Sequence, residues 1–514
     1  MSASHHTKCL GHDVVLEKQY DIVIIGSGAG GGTVAQELAP MVAQGVRILV
    51  LEQGPKLEDH EFTGRERDMA DSLYEDGGGF LTADGTMTLA FGRVYGGSTV
   101  VYTGTSLVAP DRVIREWCVP GLEHADVERR SQKFMAQNDV HFLPRVLINE
   151  NNKLFVNGCS RVGAKAEQFP LNLKGCRGSS LCNLGCPNAA KMGTHRVQLP
   201  NAEVLGVEVV TRATALRLEE RAVIVRVSDK LPGSKGLPSS WIPGDYRVSA
   251  KLIVSCGGSI GTSALLKRSP VTARIPRVGE RFTCHPAHIL VAEHDQPITN
   301  DVGHPKSYYL DRSENEGYVL ETCMYFPFIT AKNLTGFGAE HSTLMRAFPR
   351  LQMILVLACD KAVPGNFITV DTQGKAVVHY TFTPAVIRSL VSATRMSARI
   401  FFAAGARRVH APSADPPLIE REQAYRIDDL IVEKHFLPGR ISVSAAHLMG
   451  GCAMGMEGTA VTDSRGRVYG VPWLRVADSS LFPDSVEINP YLTVMALADR
   501  VAEGIRDDWG ELAR

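Results

Sequence analysis

The sequence lacks the long apolar runs that targeting and membrane segments require. Residues 1–20 contain no apolar stretch of the kind that a signal peptide needs, and no segment approaches the ~20 apolar residues of a membrane helix. The apolar run from Met353 to Ala358 is short and predicts a buried strand. We therefore expect a cytoplasmic protein without a membrane span, with export beside an escort subunit as the alternative left open.

The sequence also lacks a net charge, since 55 basic side chains balance 55 acidic ones. No electrostatic field of one sign would attract a nucleic acid or an anionic membrane, so neither is an expected partner. Hydrophobic residues make up 44% and charged residues 21%, which is ordinary for a globular enzyme. With 514 residues, the chain can bury a large core in one big domain or two interleaved ones.

A disulfide framework is not expected either. The eleven cysteines are an odd number in a long chain without a signal segment. Most of them are expected to be small buried hydrophobes. Cys176, Cys182 and Cys186 are the exception, because they stand close together in a C-x5-C-x3-C-P pattern.

The most informative motif is a glycine-rich turn near the start of the chain. The apolar segment Tyr20 to Ile25 predicts a buried parallel strand, and the turn after it carries Gly26, Gly28 and Gly31 in a GxGxxG pattern. A helix is predicted from Gly30 to Ala43, followed by a strand from Arg47 to Glu52. Such a turn lets backbone amides approach a pyrophosphate at a helix N-terminus, and Glu52 stands where a ribose would offer hydroxyls. The motif predicts a dinucleotide site without choosing between FAD and NAD.

The segments along the chain predict an α/β fold with a Rossmann-like domain built from both ends. We expect a discontinuous nucleotide-binding domain at 16–284 and 441–514, which includes the cysteine-rich segment 170–190. Residues 285–440, where β-rich segments such as Tyr318 to Phe328 surround one predicted helix, Pro384 to Ala404, are expected to form an inserted antiparallel substrate domain. A terminal helix is predicted at Leu492 to Arg506.

Four further segments together resemble the glucose–methanol–choline (GMC) oxidoreductase family. They stand in the family's order and span nearly the whole chain: 92–99, GRVYGGST; 278–286, VGERFTCHP; 447–455, HLMGGCAMG; and 474–483, LRVADSSLFP, with 489–493, NPYLT. Two positions depart from the family's usual pattern, Tyr102 and the Gly450-Gly451-Cys452 step. We expect altered packing beside the flavin ring there, with FAD still bound.

The resemblance implies FAD as the cofactor and assigns roles to residues. His447 corresponds to the catalytic base and Asn489 to its partner, which would hold the substrate oxygen. Imidazole suits a base because its ordinary pKa lies close to working pH. Asn489 also has a plainer interpretation as a helix cap ahead of Pro490. The resemblance adds a last set of cofactor-binding positions: Arg93, Gly97, Ser98 and Asp478.

The cysteine segment is similar to that of FAD-dependent glucose dehydrogenase catalytic subunits. This resemblance implies a [3Fe-4S] cluster at Cys176, Cys182 and Cys186. It is also similar to segments of long-chain alcohol oxidases. The alternative for this segment is three buried structural thiols or a single disulfide. A cluster would pass electrons to an acceptor protein such as a cytochrome, or to a quinone.

The expected reaction is hydride transfer from a CH–OH group to the flavin. Apolar residues of the inserted segment, Cys323 to Phe328 with Met345, Phe348, Met353 and Ile354, are interpreted as a pocket wall that favours a lipophilic alcohol, although core strand is the plainer interpretation. The alternatives are an iron-free alcohol oxidase that uses O₂ and a non-redox flavin lyase of the same family.

Overall fold

The computed structural model describes residues 15–323, 326–334, 336–410, 413 and 418–513. Two large sheets organise this part of the chain. The first has seven strands in the order Glu208–Val210, Ile48–Leu51, Leu16–Ile25, Gly244–Ser255, Ala222–Val227 and Ala213–Glu219, with Leu474–Val476 also paired to Gly244–Ser255. The pairs around Leu16–Ile25 are parallel, and the two strands at 213–227 are antiparallel. The predicted α/β class is confirmed.

The first strand leads into the first helix as the sequence predicts. Its last four residues, from Ile22 to Ile25, are buried, and the helix Ala29–Leu38 follows the glycine turn. The predicted end at Ala43 is wrong, because a 3-10 turn, Ala39–Gln44, replaces the last part of the helix. Pro40 has no N–H for the α-helical hydrogen bond, which interrupts the α-helical pattern at this point.

The second sheet has ten strands and is mostly antiparallel. Its main path runs Phe80–Leu81, Met87–Leu89, Val443–Ala445, Ala287–Glu293, Leu351–Ala358, Tyr318–Thr322, Tyr308–Arg312 and Glu167–Gln168, and the strands Arg408–His410 and Ile419–Glu420 join beside it. Several of these strands come from outside residues 285–440. The limits of a separate substrate domain therefore stay a prediction, while the antiparallel sheet is present.

One β-rich expectation is wrong in part. The segment predicted from Tyr318 to Phe328 is a strand only as far as Thr322, and a helix, Pro327–Asn333, begins shortly afterwards. Proline fits the first turn of a helix, where its missing N–H is not needed. Met324 and Tyr325 lie outside the described residues.

Helices cover both sheets. Pro384–Ala403 packs on the strands Leu351–Ala358 and Ala287–Glu293, and Tyr491–Leu512 packs on Ala29–Leu38. The other helices are Glu66–Leu73, Asp111–Glu116, His124–Gln137, Glu150–Arg161, Gln198–Val204, Gly258–Arg268, Ser313–Glu316, Gly338–Arg346 and Ile427–Leu430. Two small antiparallel sheets are also present, the pair Val140–Phe142 with Pro170–Asn172 and the hairpin Phe367–Val370 with Ala376–His379. Among the described residues, no helix has both the length and the apolar character that crossing a membrane demands.

Candidate functional site

The glycine turn brings its backbone close to other backbone segments. A Cβ atom on Gly31 would lie 1.9 Å from the carbonyl oxygen of Gly26, so only glycine allows the helix to begin so close to the strand. Gly28 is different, because a Cβ atom there would meet only the Cα atom of Gly97, at 3.8 Å. The surface of the turn at Gly28 is therefore open enough for a ligand to approach its backbone.

The second glycine-rich loop lies against the first. Gly97 has a φ of +53°, and a Cβ atom on it would be 2.7 Å from the Cα atom of Gly28. Ser98 is exposed and its hydroxyl accepts a hydrogen bond from the Gly92 N–H at 2.9 Å. Arg93 forms an ion pair with Glu75 at 3.3 Å. The structure thus brings the two predicted cofactor loops together, with Arg93 and Ser98 bordering the contact.

Glu52 is buried at the end of the strand Ile48–Leu51. Its carboxylate accepts hydrogen bonds from the Ser27 N–H at 3.1 Å, the Ser27 hydroxyl at 2.5 Å and the Gly54 N–H at 2.7 Å. Burial raises the pKa of this carboxyl, while those donors lower it. The Ser27 hydroxyl also accepts from the Gly96 N–H at 2.9 Å. Ser27 therefore ties Glu52 to both glycine-rich loops, a role that the sequence did not reveal.

Asp478 is buried and serves the backbone around it. Its carboxylate accepts from the Gly258 N–H at 2.9 Å, the Thr262 hydroxyl at 2.5 Å and the Ser480 N–H at 2.8 Å. The side chain thus fixes the start of the helix Gly258–Arg268 against the segment 478–481. Burial raises the pKa of the carboxyl, against the effect of these hydrogen bonds.

His447 and Asn489 meet although they are 42 positions apart. The amide nitrogen of Asn489 lies 3.3 Å from Nε2 of His447 and 3.1 Å from Oε1 of Glu321. The Asn489 side chain does not cap the helix Tyr491–Leu512, whose N-cap residue is Pro490. The plainer interpretation of Asn489 is therefore wrong, because the amide is engaged by a carboxylate from the antiparallel sheet.

Four further polar residues around this pair were not predicted from the sequence. Nδ1 of His285 lies 2.9 Å from Nδ1 of His447, and Nε2 of His285 lies 2.9 Å from the Ser485 hydroxyl. Glu321 is 1% exposed and forms an ion pair with Lys306. His285 belongs to the quoted VGERFTCHP segment, so its position in that motif was an available signal. Glu321 and Lys306 stand in no motif.

Burial changes the chemistry of both imidazoles. It lowers the pKa of His447 to about 3, and the positive charge of Lys306 contributes. It also lowers the pKa of His285 to about 3, with a contribution from His447. The expectation that the base has a pKa near working pH is therefore wrong. A desolvated imidazole resists protonation, so both rings stay neutral at ordinary pH.

A small cavity of about 10 Å³ is lined by His447 and Asn489. Its polar lining includes His285, Glu321, His447, Glu487 and Asn489, with Asp311 and Cys359, and its apolar lining is Leu107, Tyr309, Val319, Leu357 and Ile488. None of the described residues predicted as a pocket wall lines it. Cys323, Met353 and Ile354 are buried in core clusters instead, and the strand Leu351–Ala358, which holds the last two, is buried along its whole length.

The cysteine segment lies beside a buried lysine. The sulfur of Cys176 accepts from the Gly178 N–H at 3.4 Å, and that of Cys186 from the Ala190 N–H at 3.3 Å. Burial raises the pKa of the Cys182 thiol to about 12. Lys191 donates to the carbonyl oxygens of Val100, at 2.8 Å, and of Cys182.

The three thiols lie near one another, but they are not grouped around a site for a single metal ion. Nowhere in the described ranges do three histidine, cysteine, aspartate or glutamate side chains group as a metal ion requires. A thiol with a raised pKa is also a poor source of the thiolate that iron binds. Ligation of iron by Cys176, Cys182 and Cys186 stays a prediction.

Comparisons with known proteins identify relatives along most of the chain. Two family models described as GMC oxidoreductase match residues 70–287 and 366–498. An uncharacterised GMC-type oxidoreductase of Mycobacterium tuberculosis is 31% identical over 495 residues, which are 94% of this chain and 75% of that protein. A long-chain-alcohol oxidase of Arabidopsis thaliana is 26% identical over 532 residues, covering 96% of this chain and 68% of the oxidase.

Solved structures share the fold. Pyridoxine 4-oxidase from Mesorbium loti superposes with a TM-score of 0.69 at 17% identity, covering 95% of this chain and 99% of that one. Formate oxidase of Aspergillus oryzae gives 0.68 at 14% identity, with 97% and 100% covered. At these identities the likeness establishes the architecture of two sheets and nothing finer.

Proposed function

The chain belongs to the GMC oxidoreductase family and is an FAD-dependent oxidoreductase, and from that premise we propose that it oxidises a lipophilic alcohol, with His447 as the proton acceptor. The observation that carries the proposal is the contact between His447 and Asn489 at a partly apolar cavity. Similarity to a long-chain-alcohol oxidase supports the same substrate class.

The two glycine-rich loops supply a site that fits the FAD pyrophosphate. The first loop contains Gly26, Gly28 and Gly31, and the backbone of Gly97 in the second loop packs against the backbone of Gly28. Glu52 would bind ribose hydroxyls through lone pairs that its protein donors leave free, with Arg93, Ser98 and the backbone near Asp478 at the borders. When bound, FAD supplies the acceptor for the hydride that leaves the alcohol carbon.

The protein's own part is to move one proton. His447 is neutral, so Nε2 can take the hydroxyl proton: the O–H bond breaks, its electron pair stays on oxygen, and an N–H bond forms. The Asn489 amide can donate to that oxygen without competing for the proton, since an amide is not a base at ordinary pH. Leu107, Val319 and Leu357 limit the water that reaches the pair.

We assign no electron-transfer step to the cysteine segment, because its ligation of iron is a prediction. The identity of the final acceptor is then a matter of experiment. Formation of peroxide in air identifies an oxidase that uses O₂, whereas turnover only with a quinone or a protein such as a cytochrome identifies a dehydrogenase.

An anaerobic titration tests the proposed function. Purified holoenzyme is mixed with aliphatic alcohols of increasing chain length and with glucose, and flavin absorbance is recorded. We expect bleaching by the longer alcohols, and far slower bleaching in His447→Gln. If a substrate is consumed while the flavin stays oxidised, the protein is a non-redox lyase and the proposal is wrong.

A further inference from the structure

The polar groups around His447 leave little freedom in how its hydrogens are arranged. Two ring nitrogens, Nδ1 of His285 and Nδ1 of His447, lie 2.9 Å apart, and the rings are nearly perpendicular at 85°. Both rings are neutral at ordinary pH, so each carries one N–H. Only one of the two facing nitrogens can hold a hydrogen, and the other must accept it.

The Glu321 side decides which nitrogen that is. A carboxylate paired with a lysine only accepts hydrogen bonds, so the Asn489 atom at 3.1 Å from Glu321 must be the amide nitrogen. Its second hydrogen then points to Nε2 of His447, at 3.3 Å. Nε2 is therefore an acceptor, and the hydrogen of His447 is on Nδ1. The single electron pair of Nε2 holds the Asn489 hydrogen until an alcohol hydroxyl replaces it, and that Asn489 hydrogen is then available to the alcohol oxygen.

The Ser485 side agrees with this assignment. Nδ1 of His285 accepts from His447, so the hydrogen of His285 is on Nε2 and is donated to the Ser485 hydroxyl at 2.9 Å. That hydroxyl also accepts from the Glu487 N–H at 3.1 Å. The donor direction is thus consistent from Asn489 through two imidazoles to Ser485.

We propose that Glu321 and His285 are positioning residues that fix Nε2 as the base nitrogen of His447, from opposite sides of the ring. The proposal rests on the proposed function of His447 as proton acceptor. Once Nε2 has taken the substrate proton, the Nδ1–H bond to His285 becomes charge-assisted and stabilises the imidazolium. This support is needed because burial and Lys306 both oppose a positive charge on His447.

The sharpest variant is Glu321→Gln, which keeps the shape of the side chain. Lys306 needs an acceptor, so the new amide would turn its oxygen to Lys306 and its nitrogen to Asn489. Asn489 would then flip and present its oxygen to both neighbours. An acceptor opposite Nε2 of His447 favours a hydrogen on Nε2, so this nitrogen no longer has an electron pair that can accept the substrate proton.

The experiment compares holoenzymes by two readouts: the anaerobic rate of flavin reduction against alcohol concentration, and ¹H–¹⁵N spectra of protein labelled on histidine rings. The His447 signals are those missing in His447→Gln. In Glu321→Gln we expect hydrogen at Nε2 and reduction slowed about 100-fold, the low end of a general base's contribution. The matched control is Glu314→Gln, an exposed residue of the helix Ser313–Glu316, which should behave as wild type.

A second pair of variants covers the case in which Glu321→Gln does not fold. Ser485→Ala removes the acceptor of His285 and should slow flavin reduction, whereas Ser485→Thr keeps a hydroxyl and should restore it. Hydrogen on Nε2 of His447 in the wild type, or full activity in Glu321→Gln or Ser485→Ala, overturns the proposal. Full activity of His447→Gln would instead overturn the proposed function, so the two failures are distinguishable.

Discussion

The dinucleotide turn and the catalytic pair are built in opposite ways. Strand, turn and helix of the first are continuous from Leu16 to Leu38, and Gly31 packs against the backbone of Gly26 within the same turn. The pair at His447 and Asn489 depends on His285, Glu321 and Ser485, whose contacts join positions 162, 168 and 200 apart. Local sequence therefore predicts the proposed cofactor turn, whereas tertiary structure assembles the groups around the proposed base.

The largest expected effect comes from the catalytic side. His447→Gln should slow anaerobic flavin reduction by about 10²- to 10⁴-fold, the usual contribution of a general base, because Gln has no basic nitrogen. The flavin content should stay at the wild-type value, since His447 is not part of the glycine turn. A variant that loses its flavin as well would show that the two regions are not separable.

A change in the glycine turn should have the opposite pattern of effects, with FAD binding weakened. In Gly28→Ala the new methyl group has room within the protein but occupies the surface that a pyrophosphate approaches. We expect FAD affinity to fall by at least about tenfold, equivalent to about 1.4 kcal/mol, as measured by titrating the apoprotein, with an unchanged melting temperature. The control is Gly510→Ala in the terminal helix, where a methyl group meets no atom within 4 Å. Equal affinities in both variants would contradict the assignment.

The acid side of the pH profile sharpens the comparison further. A base must be neutral to accept a proton, and the pKa of His447 is lowered to about 3 by burial. Activity that depends on it is present above that pKa and is lost as the pH falls through it. We expect the rate of flavin reduction to be flat from about pH 5 upward, whereas an unburied histidine would give a decline near pH 6.5. A decline near pH 6.5 in the wild type that is absent in His447→Gln would show that the His447 imidazole is solvated.

The smallest expected effect concerns the cysteine segment. Cys182 does not line the cavity at His447, so Cys182→Ser should reduce its flavin with alcohol at close to the wild-type rate. The cluster hypothesis is tested separately by measuring the iron content of the anaerobically purified wild type and variant. Iron near three atoms per chain in the wild type, lost in Cys182→Ser, would show that the segment does bind a cluster.

The limits of sequence-based prediction follow the same division. The glycine turn and the helix after it were predictable because their physics is local, and only the helix end was misplaced, at Pro40. His447 and Asn489 were found through motifs that resemble a family. Glu321 had no local signal, because a glutamate in the strand Tyr318–Thr322 acquires its role only when that strand is folded against Asn489. The low pKa of His447 likewise depends on burial that no spacing encodes.

The most direct test of the central claim follows the electrons of the alcohol. Holoenzyme is mixed anaerobically with a long-chain primary alcohol, unlabelled or with deuterium on the carbinol carbon, and flavin absorbance is followed in time. We predict complete bleaching that is slower with the deuterated alcohol, because the bond to that hydrogen breaks as the flavin is reduced. Bound FAD that stays oxidised with every alcohol tested would contradict the account.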